Sequence, residues 1–148
     1  MKILLIVSLL LVVGFRAQAQ QTKESPKTPV APYTIPEDAV HQANPVKATP
    51  ESIAVGKKWY GYDCAMCHGK QGDGKGEVGA DMKLKVSDLT DPATLKERTD
   101  GEVFYIIKFG KNAMPPEGTR VKTVELWDLV NYVRSLAKKN TPEDKAAR

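Results

Sequence analysis

Two thiols and an imidazole stand within five consecutive positions, Cys64, Ala65, Met66, Cys67 and His68, and together they read C-x-x-C-H. That spacing is the attachment signature of a c-type haem. Each thiol adds to one vinyl group of the porphyrin, and the residue after the second cysteine offers a ring nitrogen to the iron as proximal ligand. The cysteine pair taken alone also suits a thioredoxin-like dithiol or a short disulfide. A zinc site is disfavoured, because distant His41 would be the one further Cys or His ligand in the chain.

A candidate for the iron's opposite face lies 46 positions beyond His68, at Met114, in the run Gly110, Lys111, Asn112, Ala113, Met114, Pro115, Pro116. A thioether suits haem iron and raises its potential, and the paired prolines stiffen the loop that would carry it. Met114 as a plain loop methionine, or Met82 in its place, are the competing readings. Met66 lies inside the attachment motif, on the proximal side, and cannot reach.

These side chains need helices to position them. Thr49 and Pro50 form an N-cap followed by proline at the first helical position. Ile53, Gly56 and Tyr60 then recur at helical spacing, and the stripe runs on into Cys64 and Cys67, so the first helix delivers the thiols. A glycine inside a helix costs about 1 kcal/mol relative to alanine. At Gly56 the reason expected is a second helix crossing close by. Near the other end Leu126, Leu129, Val130, Val133 and Ala137, broadened by Trp127, Tyr132 and Leu136, make the apolar stripe of a terminal helix, with Lys138 and Lys139 placed where its dipole favours cations. Between the two lie a loop rich in glycine (Gly69, Gly72, Gly74, Gly76, Gly79) and a turn around Asp88 to Pro92. A third helix follows, opened by Thr99 and Glu102 as a capping box, faced by Val103, Ile106 and Ile107 and stopped by Gly110. The glycines do not match a phosphate-binding loop.

The flanks are different material. Met1 and Lys2 precede an apolar run from Ile3 to Val13, and Ala17, Gln18, Ala19 has the small-residue form of a cleavage site, so residues 1–19 read as a signal peptide. The run is short of the roughly 20 residues that span a bilayer, although Arg16 keeps an uncleaved anchor as the alternative. Residues 20–49 hold Pro26, Pro29, Pro32, Pro36 and Pro45 among polar residues and read as a flexible linker or tail, in which His41 is a solvated histidine. Residues 141–148 read as a disordered tail. The leader takes two of the 22 basic residues, against 18 acidic ones, which leaves no nucleic-acid or polybasic membrane footprint. Lys70, Lys75, Lys83, Lys85, Lys108 and Lys111 gather in sequence around the two ligating segments, either to steer acidic partners or as an ordinary solvated face.

On its C-x-x-C-H, the Gly56 and Tyr60 pair before it, the N-A-M-P-P loop and the L-W-D-L-V-N-Y-V-R terminal helix, the segment from 50 to about 140 resembles a class I monohaem cytochrome c of the secreted bacterial type. The resemblance implies an all-α fold, with three main helices and short turns wrapped around one covalent haem c and the N- and C-terminal helices crossing. It also implies that Cys64 and Cys67 carry the thioethers and that His68 and Met114 are the axial ligands. Many members place a proline carbonyl against the proximal imidazole, yet no proline occurs between His68 and Pro92, so the acceptor is open. An iron capped on both faces exchanges electrons and transforms no substrate, with Leu84, Leu89, Ile107 and Phe109 expected around it. The function expected is a one-electron carrier, not an enzyme, in a periplasmic or membrane-surface respiratory chain. Its expected partners are redox proteins such as a membrane oxidase or reductase complex, with no nucleic acid, and with the membrane only if the leader is retained. A haem enzyme or gas sensor with an open iron, and a haem-free dithiol protein, are the alternatives. Amino-terminal sequencing of the mature protein is expected to begin at Gln20; a chain beginning at Met1 or Lys2 marks an anchored carrier.

Overall fold

Helix follows helix in the computed structural model, which describes residues 33–138. The elements are α1 (Glu37–Val40), α2 (Pro50–Trp59), a π turn (Tyr60–Cys64), α3 (Ala65–His68), α4 (Glu77–Asp81), α5 (Asp100–Phe109) and α6 (Thr123–Lys138). Among the described residues the one β feature is an isolated bridge between Lys111 and Met114. The expected leader, residues 20–32 of the linker, Lys139 and the expected tail lie outside the described residues.

α2 starts as its sequence dictates. The Thr49 hydroxyl accepts from the Ser52 amide at 3.2 Å, and Pro50 fills the first turn, where no amide is needed. The helix then runs without a break through the π turn into α3. A π turn holds one more residue than an α turn, so it shifts the phase of the 3.6-residue stripe just ahead of the second cysteine. The periodicity expected to carry uniformly from Ile53 to Cys67 is therefore interrupted at Tyr60.

The frame of the molecule is the crossing of α2 over α6. At Gly56 a Cβ would run into the Asp128 carbonyl and lie 2.8 Å from Tyr132 Cβ, so the two backbones approach as closely as they do because position 56 has no side chain. Around this point a polar network closes off water. Ser52 Oγ donates to Asp128 Oδ1 at 2.5 Å, Asn131 Nδ2 donates to Ser52 Oγ at 2.9 Å, and Asn44 Nδ2 donates to Asn131 Oδ1 at 2.9 Å. Each buried polar group thereby has a partner, which spares the desolvation cost of an unpaired one. One turn on, the Tyr60 and Tyr132 rings meet at 5.1 Å.

The apolar face of α6 (Leu126, Trp127, Leu129, Val130, Tyr132, Val133, Leu136) is buried, and α5 packs on it through Val103, Phe104 and Ile107. The Phe104 and Trp127 rings stack with centroids 4.0 Å apart, so Phe104 joins the face that Ile106 was expected to occupy, while Ile106 is half-buried. Thr99 and Glu102 form both halves of the capping box at the start of α5. Arg134 of α6 holds the turns before it, donating to Asp100 Oδ1 at 2.8 Å and to the Leu95 and Arg98 carbonyls.

Residues 33–49 differ from the flexible tether expected of them. α1 buries Ala39, Val46 packs on the core, and the Thr99 hydroxyl donates to the Val40 carbonyl at 2.7 Å. Proline prevents neither feature, since it restricts the chain without preventing it from packing. His41 is exposed, as expected, with Nε2 2.8 Å from Glu37 Oε1.

Gly56→Ala is expected to cost about 1–3 kcal/mol of stability, the usual range for overpacking, measured by denaturant unfolding of the haem-loaded protein. Gly61→Ala, with nothing within 4 Å of its would-be Cβ, is expected to cost nothing.

Candidate haem site

The attachment motif occupies the end of the long helical run. Cys64 closes the π turn, Cys67 stands in α3, and His68 is its last residue. Three residues apart on helical backbone, the two thiols face one side. They are not joined to each other. Cys64 is half-buried, and burial together with the negative charges of Glu117 and Asp63 pushes its thiol up to about 12, against a lesser pull from Arg120. A dithiol exchange catalyst needs its nucleophilic thiol shifted in the opposite direction.

Behind the motif the glycine loop folds back onto its backbone. Gly74 and Gly76 donate their amides to the His68 and Cys67 carbonyls at 2.9 and 3.1 Å, and Tyr60 Oη donates to the Gly69 carbonyl at 2.8 Å. At Gly76 a Cβ would sit 2.5 Å from the Cys67 carbonyl carbon, so any other residue would push the loop off the motif. The loop's glycines thus serve close packing, and α4, which no apolar pattern announced, follows from the same fold-back.

His68 supplies the test of whether the site suits a haem. Its Nδ1 is buried and meets the geometry of a hydrogen bond with none of the described residues. Burial lowers the ring's pKa and favours the neutral form that binds metals, while the Ser87 backbone lies near enough to work the other way. A neutral imidazole beside two unpaired thiols is the donor set that a covalent haem requires, and the residues present fit it. Ser87 also stands in the stretch where the expected proline is missing.

Met114 is half-buried in the loop that follows α5. It exchanges main-chain hydrogen bonds with Lys111, whose amide donates to the Met114 carbonyl at 3.0 Å and whose carbonyl accepts from the Met114 amide at 2.9 Å. Its side chain packs on the core cluster that Cys64 and Ala65 also touch. Met82, at the end of α4, is 61% exposed. Of the residues expected around the iron, Leu89 and Ile107 are in the core and Leu84 is half-buried. Phe109, at 54% exposure, meets the Tyr105 ring at a tilt with centroids 4.5 Å apart, and Lys108 Nζ lies 5.2 Å from its ring centroid. Two of the six gathered lysines, Lys108 and Lys111, are engaged with aromatic rings.

An ion-pair cluster beside Cys64 escaped sequence reasoning. Arg120 reaches Asp63 Oδ1 at 2.5 Å and Glu117 Oε2 at 3.0 Å, and the Glu117 residue is only 5% exposed. It ties the Met114 loop to the motif helix. The three-residue spacing of Glu117 and Arg120 was the available signal, but Asp63 is far away in sequence.

Comparison with known proteins gives two matches. The family described as cytochrome c oxidase, cbb3-type, subunit III matches residues 51–133. Cytochrome c6 of Pyropia tenera is 32% identical over 84 residues, covering 57% of this chain and 92% of that protein.

Arg120→Gln is expected to lower the unfolding midpoint of the haem-loaded protein, because it strands the buried Glu117 carboxylate. Adding Glu117→Gln should recover part of the loss, since it removes the unpaired charge. Strictly additive losses in the double variant would show that the pair is not coupled.

Proposed function

Because the chain belongs to the cytochrome c family, matched through its cbb3-type oxidase subunit III description, we propose that it is a one-electron carrier with His68 and Met114 as axial ligands. It is a monohaem class I member with the all-α cytochrome c fold, it holds haem c covalently, and the family's work is electron transfer between redox proteins. When bound, haem c supplies a ferric/ferrous couple whose potential a thioether ligand raises.

The chain's own residues do the rest. Cys64 and Cys67 fix the porphyrin to the end of the motif helix, so the cofactor stays with the protein in either oxidation state. His68 presents its ring from the last position of α3, and the Ser87 backbone is a candidate to fix that ring's orientation. Met114 carries the reading. Its loop is stapled by Lys111 and its side chain lies half-buried on the same core cluster as Cys64, whereas Met82 points to solvent. With side chains on both faces, no position is left for a substrate, and the protein is a carrier, not an enzyme.

Residues 1–19 export the chain, and the carrier works in the periplasm, between a donor and an acceptor such as a membrane oxidase or reductase complex. No helix among the described residues is long and apolar enough to cross a membrane. Retention of the leader would instead hold the same carrier at the membrane surface.

Met114→Ala is expected to lower the reduction potential and to let carbon monoxide bind the ferrous protein readily, while Met82→Ala does neither. A wild-type protein that already binds carbon monoxide quickly, and whose potential Met114→Ala leaves unchanged, would reverse the reading in favour of an open-site enzyme or sensor. Cys64→Ser and Cys67→Ser should each prevent accumulation of normal holoprotein, followed by the haem that stays with the chain after acid and organic solvent. Complete extraction of haem from the wild-type protein would contradict covalent attachment.

A further inference from the structure

The segment ahead of α2 runs alongside α5 and grips it at both ends. At the start of α5, the N-cap Thr99 donates to the Val40 carbonyl at 2.7 Å, and Gly101 packs against the Ala39 and Gln42 carbonyls so tightly that a Cβ would lie 2.8 Å from the latter. At its end, Tyr33 Oη donates to the Gly110 carbonyl at 3.0 Å, and Lys111 Nζ lies 5.2 Å from the Tyr33 ring centroid. Gly110 is the cap residue just past the end of α5, and Tyr33 gives its carbonyl a partner across 77 positions of sequence.

The two residues that Tyr33 touches are the two that hold Met114. Gly110 packs on the Met114 backbone, where a Cβ would sit 2.5 Å from the Met114 carbonyl oxygen and 3.0 Å from the Pro115 carbonyl carbon. Lys111 exchanges both main-chain hydrogen bonds with Met114. A movement of the Met114 backbone away from the core therefore has to break or drag the Tyr33 contact.

We infer that Tyr33 is a positioning residue for the Met114 loop, and that its hydroxyl on the Gly110 carbonyl sets how readily the sixth coordination position opens. The inference rests on ligation of the iron by Met114. Loops of this kind open by local unfolding, and each tie that must break on opening lowers the open population without touching the iron. A further anchor, Asn44 on Asn131, ties the strap of residues 33–47 to α6 instead.

The test uses the full haem-loaded protein and cyanide as the probe of the ferric iron. Tyr33→Phe removes the hydroxyl alone and should speed cyanide binding roughly fivefold, the factor that corresponds to one ordinary hydrogen bond. Asn44→Ala should lower the thermal midpoint at least as much and leave the cyanide rate at the wild-type value. A Tyr33→Phe protein with the wild-type rate, alongside a Met114→Ala protein that binds cyanide fast, would overturn the inference and leave the ligation intact. Equal acceleration by Asn44→Ala would also overturn it, by reducing the strap to general stability. If Met114→Ala itself is no faster than wild type, the ligation fails and the inference with it.

Discussion

The contact on which everything else depends is the close crossing of α2 and α6 at Gly56. With no side chain there, the Asp128 carbonyl and the Tyr132 Cβ come to rest on the α2 backbone, and the polar network of Ser52, Asp128, Asn131 and Asn44 forms around the contact. Both helices are fixed in rotation as well as position. The motif helix then points Tyr60 at Tyr132 and Gly69, and it presents Cys64, Cys67 and His68 from its far end. Without that crossing the thiols would have an amphipathic helix beneath them but no defined direction.

The attachment motif and the loop of Met114, the proposed distal ligand, are each held from several directions. On the proximal side the glycine loop clamps the motif's own carbonyls, so backbone hydrogen bonds and van der Waals contact keep the histidine in place. On the distal side a thirteen-residue connection between α5 and α6 carries Met114. Its ties include the exchange with Lys111, the Glu117 and Gly118 amides on the Ile107 and Lys108 carbonyls of α5, the Arg120 bridge to Asp63 and Glu117, and the Tyr33 hydroxyl on Gly110.

Much of the site was legible in the chain because its chemistry is local. C-x-x-C-H, the Thr99 to Glu102 capping box and the α6 stripe each fit inside one element, and Gly56 could be read as a crossing because a helical glycine calls for a reason. The π turn at Tyr60–Cys64 could not, since it is a choice of hydrogen-bond partner that leaves no mark on apolar spacing. The strap was misjudged for a different reason. Its composition is that of a tether, and the few residues that fasten it, Tyr33, Ala39, Asn44 and Val46, find their partners far along the chain. Asp63 and Arg120 were hidden in the same way, by sequence distance.

The central claim, that one methionine of this chain caps a covalently held haem, is tested most directly by proton NMR of the reduced protein with its methionine methyls selectively labelled. A methyl held over the porphyrin plane is moved far upfield by the ring current, and the account predicts one such resonance, belonging to Met114, with Met66 and Met82 in the ordinary range. All methionine methyls in the ordinary range, or the displaced one belonging to Met82, would contradict it.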